Sequence, residues 1–298
     1  SHLFLVQRSE VRILVGQPYM NNLLDRIFFR SKNLDYISQN LKGITNQTPA
    51  NKIFKAINSY SESSEVRYVG GCVRKIIKQE NADDIDLATN LKPNEVCEAL
   101  KDKDINFYET GIDHGTITAI IDKHKFEITT LRKDVITDGR HAKVEFSLDW
   151  KEDAARRDFS INSIYSDKEG NLFDPHNGKK DLEDGYIKFI GDAENRIKED
   201  YLRIYRYFRF LGLFDLPLIN TKTQTIVEKY IHESLAVLTN DVIRQEVLKM
   251  FNMPYPLNCF YQSHVKFKWV EILKEHFIKT NYELGLKKCL NKIDNIIN

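Results

Sequence analysis

Residues Val66–Ala88 hold the feature that most constrains the fold. They contain two short apolar runs, a Gly70-Gly71 pair after the first, and the alternation Asp84-Ile85-Asp86 opening the second. Glycine takes positive φ at little steric cost, so V-R-Y-V-G-G-C-V-R-K predicts a strand over Val66–Val69, a tight turn, and a helix over Val73–Gln79. Such a turn lets the backbone approach a ligand closely. The helix start offers N–H groups to a phosphate, and Arg74 adds a charged donor. Asp84–Ala88 alternates acidic and apolar residues, a strand signature. Residues i and i+2 of a strand share a face, so Asp84 and Asp86 are expected to project together. Paired carboxylates repel unless a cation neutralises them, and Mg²⁺ prefers hard oxygen ligands. Glu127, in F-E-I-T-T, is a candidate third carboxylate from a neighbouring strand. Taken singly, a Gly-Gly pair is most often only a turn, and a D-x-D most often a surface loop.

Composition narrows the partners. Lys+Arg number 44 against 43 Asp+Glu, so the formal net charge is +1 over 298 residues. A strongly basic coat is absent, and any RNA contact must rest on local clusters of cations. The hydrophobic fraction, 42%, is enough for a substantial core. Cys72, Cys97, Cys259 and Cys289 stand apart without C-x-x-C spacing, which argues against zinc and against a disulfide framework and fits a reducing cytoplasm. No apolar run approaches the roughly 18 residues of a membrane helix. The opening SHLFLVQRSEVRILVGQ is broken by charges too early for a secretory signal.

Periodicity lays out the rest. Residues 1–50 read as an N-terminal extension of uncertain status, with one helix around Asn22–Arg30. NKIFKAINSY carries helical spacing at Ile53, Phe54 and Ile57. Gly115–Asp122 and Lys125–Leu131 are β-rich and joined by a hairpin, Arg132–Lys143 reads as a polar loop, and Asp149 is placed to cap a helix to Arg156. Asn177-Gly178 is a turn signal. Beyond it, helices are expected over Glu199–Leu213, Asn220–Ser234 and Thr239–Phe251. The result is an α+β head followed by helices.

Two further motifs are charged. In R-R-D-F-S-I-N, Arg156 and Arg157 offer guanidinium forks suited to phosphate or ribose. In E-D-Y-L-R, followed by Arg206 and Arg209, positions 200, 203, 206 and 209 recur every three residues along one side of a helix. A carboxylate accepts from the exocyclic amino group of cytosine or adenine, and an arginine donates to the adjacent ring nitrogen. Guanine and uracil present the opposite polarity. A fixed Asp200–Arg203 pair therefore selects C and A without a nucleic-acid template, because a buried unpaired group costs roughly 1–3 kcal/mol. Arg206 and Arg209 are then expected to face the triphosphate. The plain alternative is a surface ion pair of little worth.

Together, GGCVR, DDIDLAT, HGTITAI, FEITTLR, the Asp138–Arg140 DGR, RRDFSINSIY, DPHNGKKDLEDGYIKFIGD and EDYLRIYRYFRF make the region from about Asn51 to Phe251 resemble the class II tRNA nucleotidyltransferase and bacterial poly(A) polymerase family. The resemblance implies a polymerase-β-like nucleotidyltransferase head with a mixed β-sheet at residues 51–190. It implies a helical neck at 191–251 carrying the nucleotide-selecting helix, and a short helical body remnant at 252–298. It implies Mg²⁺ on Asp84 and Asp86 as the catalytic pair, and nucleotide contact by Gly71, Arg74 and Arg157. Asp200 and Arg203 match the protein template for CTP and ATP, and Arg206 and Arg209 complete the site. Arg132–Lys143 matches a flexible loop that helps switch from C to A addition. Lys75 stands where the family has Asp, and Ser160 and Ser163 where it has Thr and Ala. After Phe251 only 47 residues follow, fewer than a full body and tail. The expected activity is CCA addition to the tRNA 3′ end, with no membrane or protein partner implied. Poly(A) synthesis, partial CC or A addition, and a catalytically impaired RNA-binding remnant remain as alternatives. Retained Asp84, Asp86, Asp200 and Arg203 argue against the remnant, since bare carboxylates weaken attraction to a polyanion.

Overall fold

The computed structural model describes residues 36–80, 82, 84–112, 115–138, 141–263, 265–280 and 284–297. The helix expected around Asn22–Arg30 lies outside these residues, as do Asp83, His114 and Arg140 of the quoted motifs. Residues 36–47 are helical (α1) and pack onto the head: Ile37 and Leu41 are buried, and Thr45 Oγ1 shares a 2.8 Å hydrogen bond with the Tyr68 hydroxyl. Helix α2 (Ala50–Asn58) buries Ile53, Phe54 and Ile57, the residues whose spacing marks it in the sequence.

The head is built on one seven-stranded mixed sheet in the order β3-β4-β5-β2-β1-β8-β9. Its strands are β1 (Val66–Val69), β2 (Ile85–Thr89), β3 (Asn106–Gly111), β4 (Thr116–Ile121), β5 (His124–Thr130), β8 (Tyr165–Ser166) and β9 (Leu172–Phe173). Among the described strands of this sheet only β2 and β5 run parallel; their register sets Asp86 beside Glu127. Side chains alternate across the sheet. One face, with Val66, Tyr68, Ile85, Leu87, Phe126 and Ile128, joins the main core under α2, α3 (Gly71–Ile77) and α4 (Pro93–Asp102). The other face carries Val69, Ala88, Leu131 and Tyr165 against α5 (Trp150–Arg156), whose Ala154 completes a smaller cluster. Asp86 belongs to this second face, being out of phase with Ile85 and Leu87. Asp149 caps α5, its Oδ1 accepting from Lys151 N at 2.7 Å.

The sequence and the fold part company in three places. Arg132–Lys143 is not a loop but most of a hairpin, β6 (Arg132–Asp138) and β7 (His141–Phe146), which forms its own two-stranded sheet. Its polar composition hides the strands, which are defined by their cross-strand pairing with each other. The expected helix over Glu199–Leu213 is two helices, α7 (Ala193–Glu199) and α8 (Leu202–Leu211), broken at Asp200 by an extended residue at φ −154°, ψ 103°. Asn220–Ser234 likewise divides at Tyr230 into α9 (Thr221–Lys229) and α10 (Ile231–Val237). Helices α11 (Asn240–Phe251), α12 (Lys268–Lys279) and α13 (Leu284–Ile297) complete the helical region. Trp269 anchors it, fully buried between Tyr205, Phe208 and Phe260. Among the described residues no helix is long and apolar enough to cross a membrane.

The Asn177-Gly178 turn does more than reverse the chain. Gly178 opens α6 (Gly178–Asp184), which lies on the 3₁₀ turn Ser160–Asn162. A Cβ on Gly178 would stand 2.0 Å from the Ser160 carbonyl oxygen and 2.6 Å from its carbon. Ser160 Oγ donates to Asp181 Oδ2 at 2.5 Å, tying the same turn to α6. Gly178→Ala is therefore expected to lower stability by about 1–3 kcal/mol, read as a shift of the urea midpoint. An unchanged midpoint would mean that the two backbones separate freely.

Candidate active site

The sheet's second face, the start of α3, the segment after α5 and the start of α8 converge. Gly70, with φ +69°, turns the chain out of β1, and Gly71 opens α3 with no atom within 4 Å of where its Cβ would stand. The positive φ falls on Gly70; Gly71 leaves open space at the helix start. Arg74, one turn along, donates to Asn162 Oδ1 and lies over the Phe210 ring at 5.0 Å. Burial, with Arg209 and Arg206 nearby, brings its guanidinium down to about 10.

Asp84 sits exposed in the bend before β2, and Asp86 is half-buried on it. Burial raises the Asp86 carboxyl, and the charges of Glu127 and Asp84 raise it further, while Arg157 and Arg74 oppose them. The three acids thus share one field, and two arginines reach into it. Lys125 Nζ donates to Glu127 Oε1 at 2.7 Å. Among the described residues no three acidic, histidine or cysteine side chains form a ready-made metal cage.

Arg157 is built in most firmly. Its Nε and Nη2 reach Asp153 Oδ2 at 3.2 and 3.1 Å, Nε also reaches the Tyr165 hydroxyl at 2.9 Å, and Nη1 donates to Asn162 O at 3.3 Å. Asp153, buried to 1%, also binds Arg156. Burial favours its neutral form, but Arg157 and Arg156 overcome that and hold it at about 2. The next acid, Asp158, accepts from Asn162 Nδ2 and from Arg206 Nε at 2.9 and 2.6 Å. Burial raises its carboxyl, yet Arg206, Asn162 and Phe159 N–H bring it below the ordinary range.

A cavity of about 330 Å³ opens among these groups, within the range of small-ligand sites. Arg156, Arg157, Asp158 and Asn162 line one side, Asp200, Arg203 and Arg206 another, with Arg132 at its edge. The structure therefore brings Arg157, Asp200, Arg203 and Arg206 to one space, while Asp84 and Asp86 are not among the residues that line it. The expected Asp200–Arg203 side-chain pair is not formed; only the Arg203 N–H meets the Asp200 carbonyl, at 3.1 Å. Asp200 Oδ1 accepts from Leu202 N at 2.9 Å, and Arg203 Nη1 donates to Glu199 Oε2 and Arg196 O at 2.7 and 2.8 Å. Arg209 is drawn elsewhere: its Nη1 meets Glu246 Oε2 of α11 at 2.8 Å. The Phe210 ring carries Arg74, Arg206 and Arg209 within 6 Å of its centre, a cation–π contact that eases their mutual repulsion.

Sequence reasoning assigned no role to Asn162, Asp153, Asp158 or Glu199, which hold the arginines in place. Two carried a readable signal: Asp153 lies three and four residues before Arg156 and Arg157, and Glu199 four before Arg203, the spacing of partners on one helix face. The others act across 48 and 88 residues and leave no local trace.

Residues 66–188 match the family model described as the poly A polymerase head domain. The human protein named CCA tRNA nucleotidyltransferase 1, mitochondrial, is 49% identical over 158 residues, covering 52% of this chain and 36% of that protein. A Lactobacillus johnsonii CCA-adding enzyme is 37% identical over 215 residues, covering 72% of this chain and 52% of the relative. The chain thus spans about a third to a half of the length of these curated relatives. The crystal structure of the Bacillus stearothermophilus CCA-adding enzyme in complex with CTP superposes with a TM-score of 0.62 at 26% identity, over 70% of this chain and 49% of that one.

Proposed function

Because this chain belongs to the class II tRNA nucleotidyltransferase and poly(A) polymerase family, we propose that it extends tRNA 3′ ends without a nucleic-acid template, adding C and A residues from CTP and ATP and releasing pyrophosphate. The observation that supports this best is the shared cavity, in which Asp200 and Arg203 face the same space as Arg157 and Arg206.

In the proposed reaction the RNA 3′-hydroxyl oxygen bonds to the α-phosphorus of the nucleotide, the bond from that phosphorus to pyrophosphate breaks, and the hydroxyl proton leaves to solvent. Arg157 and Arg206 sit where they can hold phosphate, each with its own carboxylate to keep the guanidinium oriented. The Leu202 N–H fixes the Asp200 carboxylate for the exocyclic amino group of C or A. Glu199 and the Arg196 carbonyl fix Arg203 for the adjacent ring nitrogen. Asp158, Asn162 and Arg74 form the floor joining these groups to the Gly70-Gly71 turn. Enzymes of this family generally use a divalent metal; Mg²⁺ is the proposed ion, held by Asp84 and Asp86. When bound it offsets the charge of the triphosphate and of the attacking oxygen. The proposed compartment is the cytoplasm; the human relative is named mitochondrial.

The test is incubation with Mg²⁺, CTP, ATP and tRNAs ending at the discriminator base, at C or at CC, followed by sequencing of the products. Completed CCA ends are expected on all three. A long A tail or a stop after CC would reassign the product, and no incorporation on any end would overturn the proposal. Arg203→Ala is expected to lower discrimination for CTP and ATP against UTP and GTP by roughly ten- to a hundredfold. Unchanged selectivity would remove Arg203 from base recognition.

A further inference from the structure

The arginines and the β5-β4-β3 part of the sheet lie on opposite sides of the acids. Arg157 binds Tyr165 of β8, and Arg74 is on the helix that follows β1; in the sheet order both strands precede or follow β2 on the side away from β5. On the other side come β5, β4 and β3. Register carries one row of side chains across them: Asp86 pairs with Glu127, Glu127 with Thr118, and Thr118 with Tyr108. Directly paired residues share a face. Tyr108 therefore stands on the face of the acids, three strand spacings or roughly 14 Å from Asp86, and its side chain is 59% exposed. Its direct partner Thr118 is buried, and Ile120, diagonal to Tyr108 on β4 and directly opposite Lys125, is exposed. Phe107 and Ala119, one residue out of step, pack into the core, which confirms the phase.

This placement has a chemical consequence, resting on the nucleotidyl-transfer reading above. The attacking and leaving oxygens of phosphoryl transfer lie roughly in line across the phosphorus. With the triphosphate held by arginines on the β1 and β8 side, the acceptor hydroxyl must arrive from the β5 side, and the nucleotide bearing it must lie along β4 and β3. We propose that Tyr108 is the stacking platform for the unpaired 3′-terminal base of the acceptor RNA, with Lys125 beside Glu127 to meet its phosphodiester. Tyr108 and Lys125 together offer one ring and one ammonium, which suits one unpaired nucleotide. Stacking accepts any base face, so the same platform serves as the terminal residue changes from the discriminator base to C.

An RNA ending in 2-aminopurine reports the contact without turnover, since stacking on tyrosine quenches its fluorescence. The parent protein is expected to quench it, Tyr108→Phe to keep the quenching, and Tyr108→Ala to lose it. In steady state with Mg²⁺, Tyr108→Ala is expected to raise KM for acceptor RNA about tenfold with KM for CTP unchanged. The exposed position leaves the thermal midpoint in place. A Tyr108→Ala protein that quenches and turns over like its parent overturns the platform alone. Quenching that depends on Tyr108 in a protein that incorporates nothing upholds the platform and overturns the transfer reading.

Discussion

Asp86→Ala is expected to lower nucleotide incorporation at least about a thousandfold while the folded protein loses no stability and still binds tRNA. The magnitude is that of removing a group that stabilises charge developing in a transition state, where even one hydrogen-bond donor is worth about 10²–10³. The stability half follows from the local field. Asp86 is half-buried, and Glu127 and Asp84 disfavour its charge more than Arg157 and Arg74 favour it. A carboxylate whose charge the surrounding protein disfavours adds no stability through that charge, so the neutral side chain should unfold at the same urea concentration as the parent or a higher one. Asp84→Ala, at an exposed site, should match it in activity. Turnover that survives either substitution refutes the metal assignment, and a large drop in the unfolding midpoint refutes the electrostatic argument.

Asp153→Ala is expected to behave in the opposite way, costing about 3–5 kcal/mol of stability as well as activity. This carboxylate is 1% exposed and serves Arg156, Arg157 and the Tyr165 hydroxyl, which donates at 2.6 Å. Without it Arg157 keeps its charge in a largely enclosed position with only neutral partners. The effect has a pH signature. The folded carboxyl lies at about 2 against an ordinary 3.8. Its contribution is complete above about pH 4 and is lost as pH falls toward 2. The parent should lose stability across that interval, and Asp153→Ala should lose less. Equal acid sensitivity in both proteins, or a midpoint shift below 1 kcal/mol, would show that Asp153 does not carry the arginines.

The expectations that held were those written in neighbouring residues. The strand over Val66–Val69, the Gly-Gly turn, the apolar face of α2 and the Asp149 cap are each set within a few positions and appear where the spacing puts them. The hairpin over Arg132–Lys143 was obscured because its polar strands are defined by each other. The break at Asp200 was obscured because neither Asp200 nor Tyr201 is a helix breaker; Asp200 turns instead to accept the Leu202 N–H.

The candidate site divides in the same way. Sequence alone determined which chemical groups are present and in what order: Asp84 just before β2 and Asp86 on it, arginines around the end of α5 and along α8, and the glycine pair at the start of α3. Those features depend on local backbone geometry, and the periods of strand and helix transmit it directly. Only the tertiary structure decided who faces whom. Arg203 and Arg206 open onto the cavity while Arg209, one turn further along the same helix, is drawn to Glu246 of α11. Asn162 joins Arg74 to Asp158, and Tyr108 falls into register with Asp86 through two intervening strands. Each of these pairings depends on how elements distant in the chain pack together, and a charge on a helix face takes its role from whichever opposite charge the packing brings within reach.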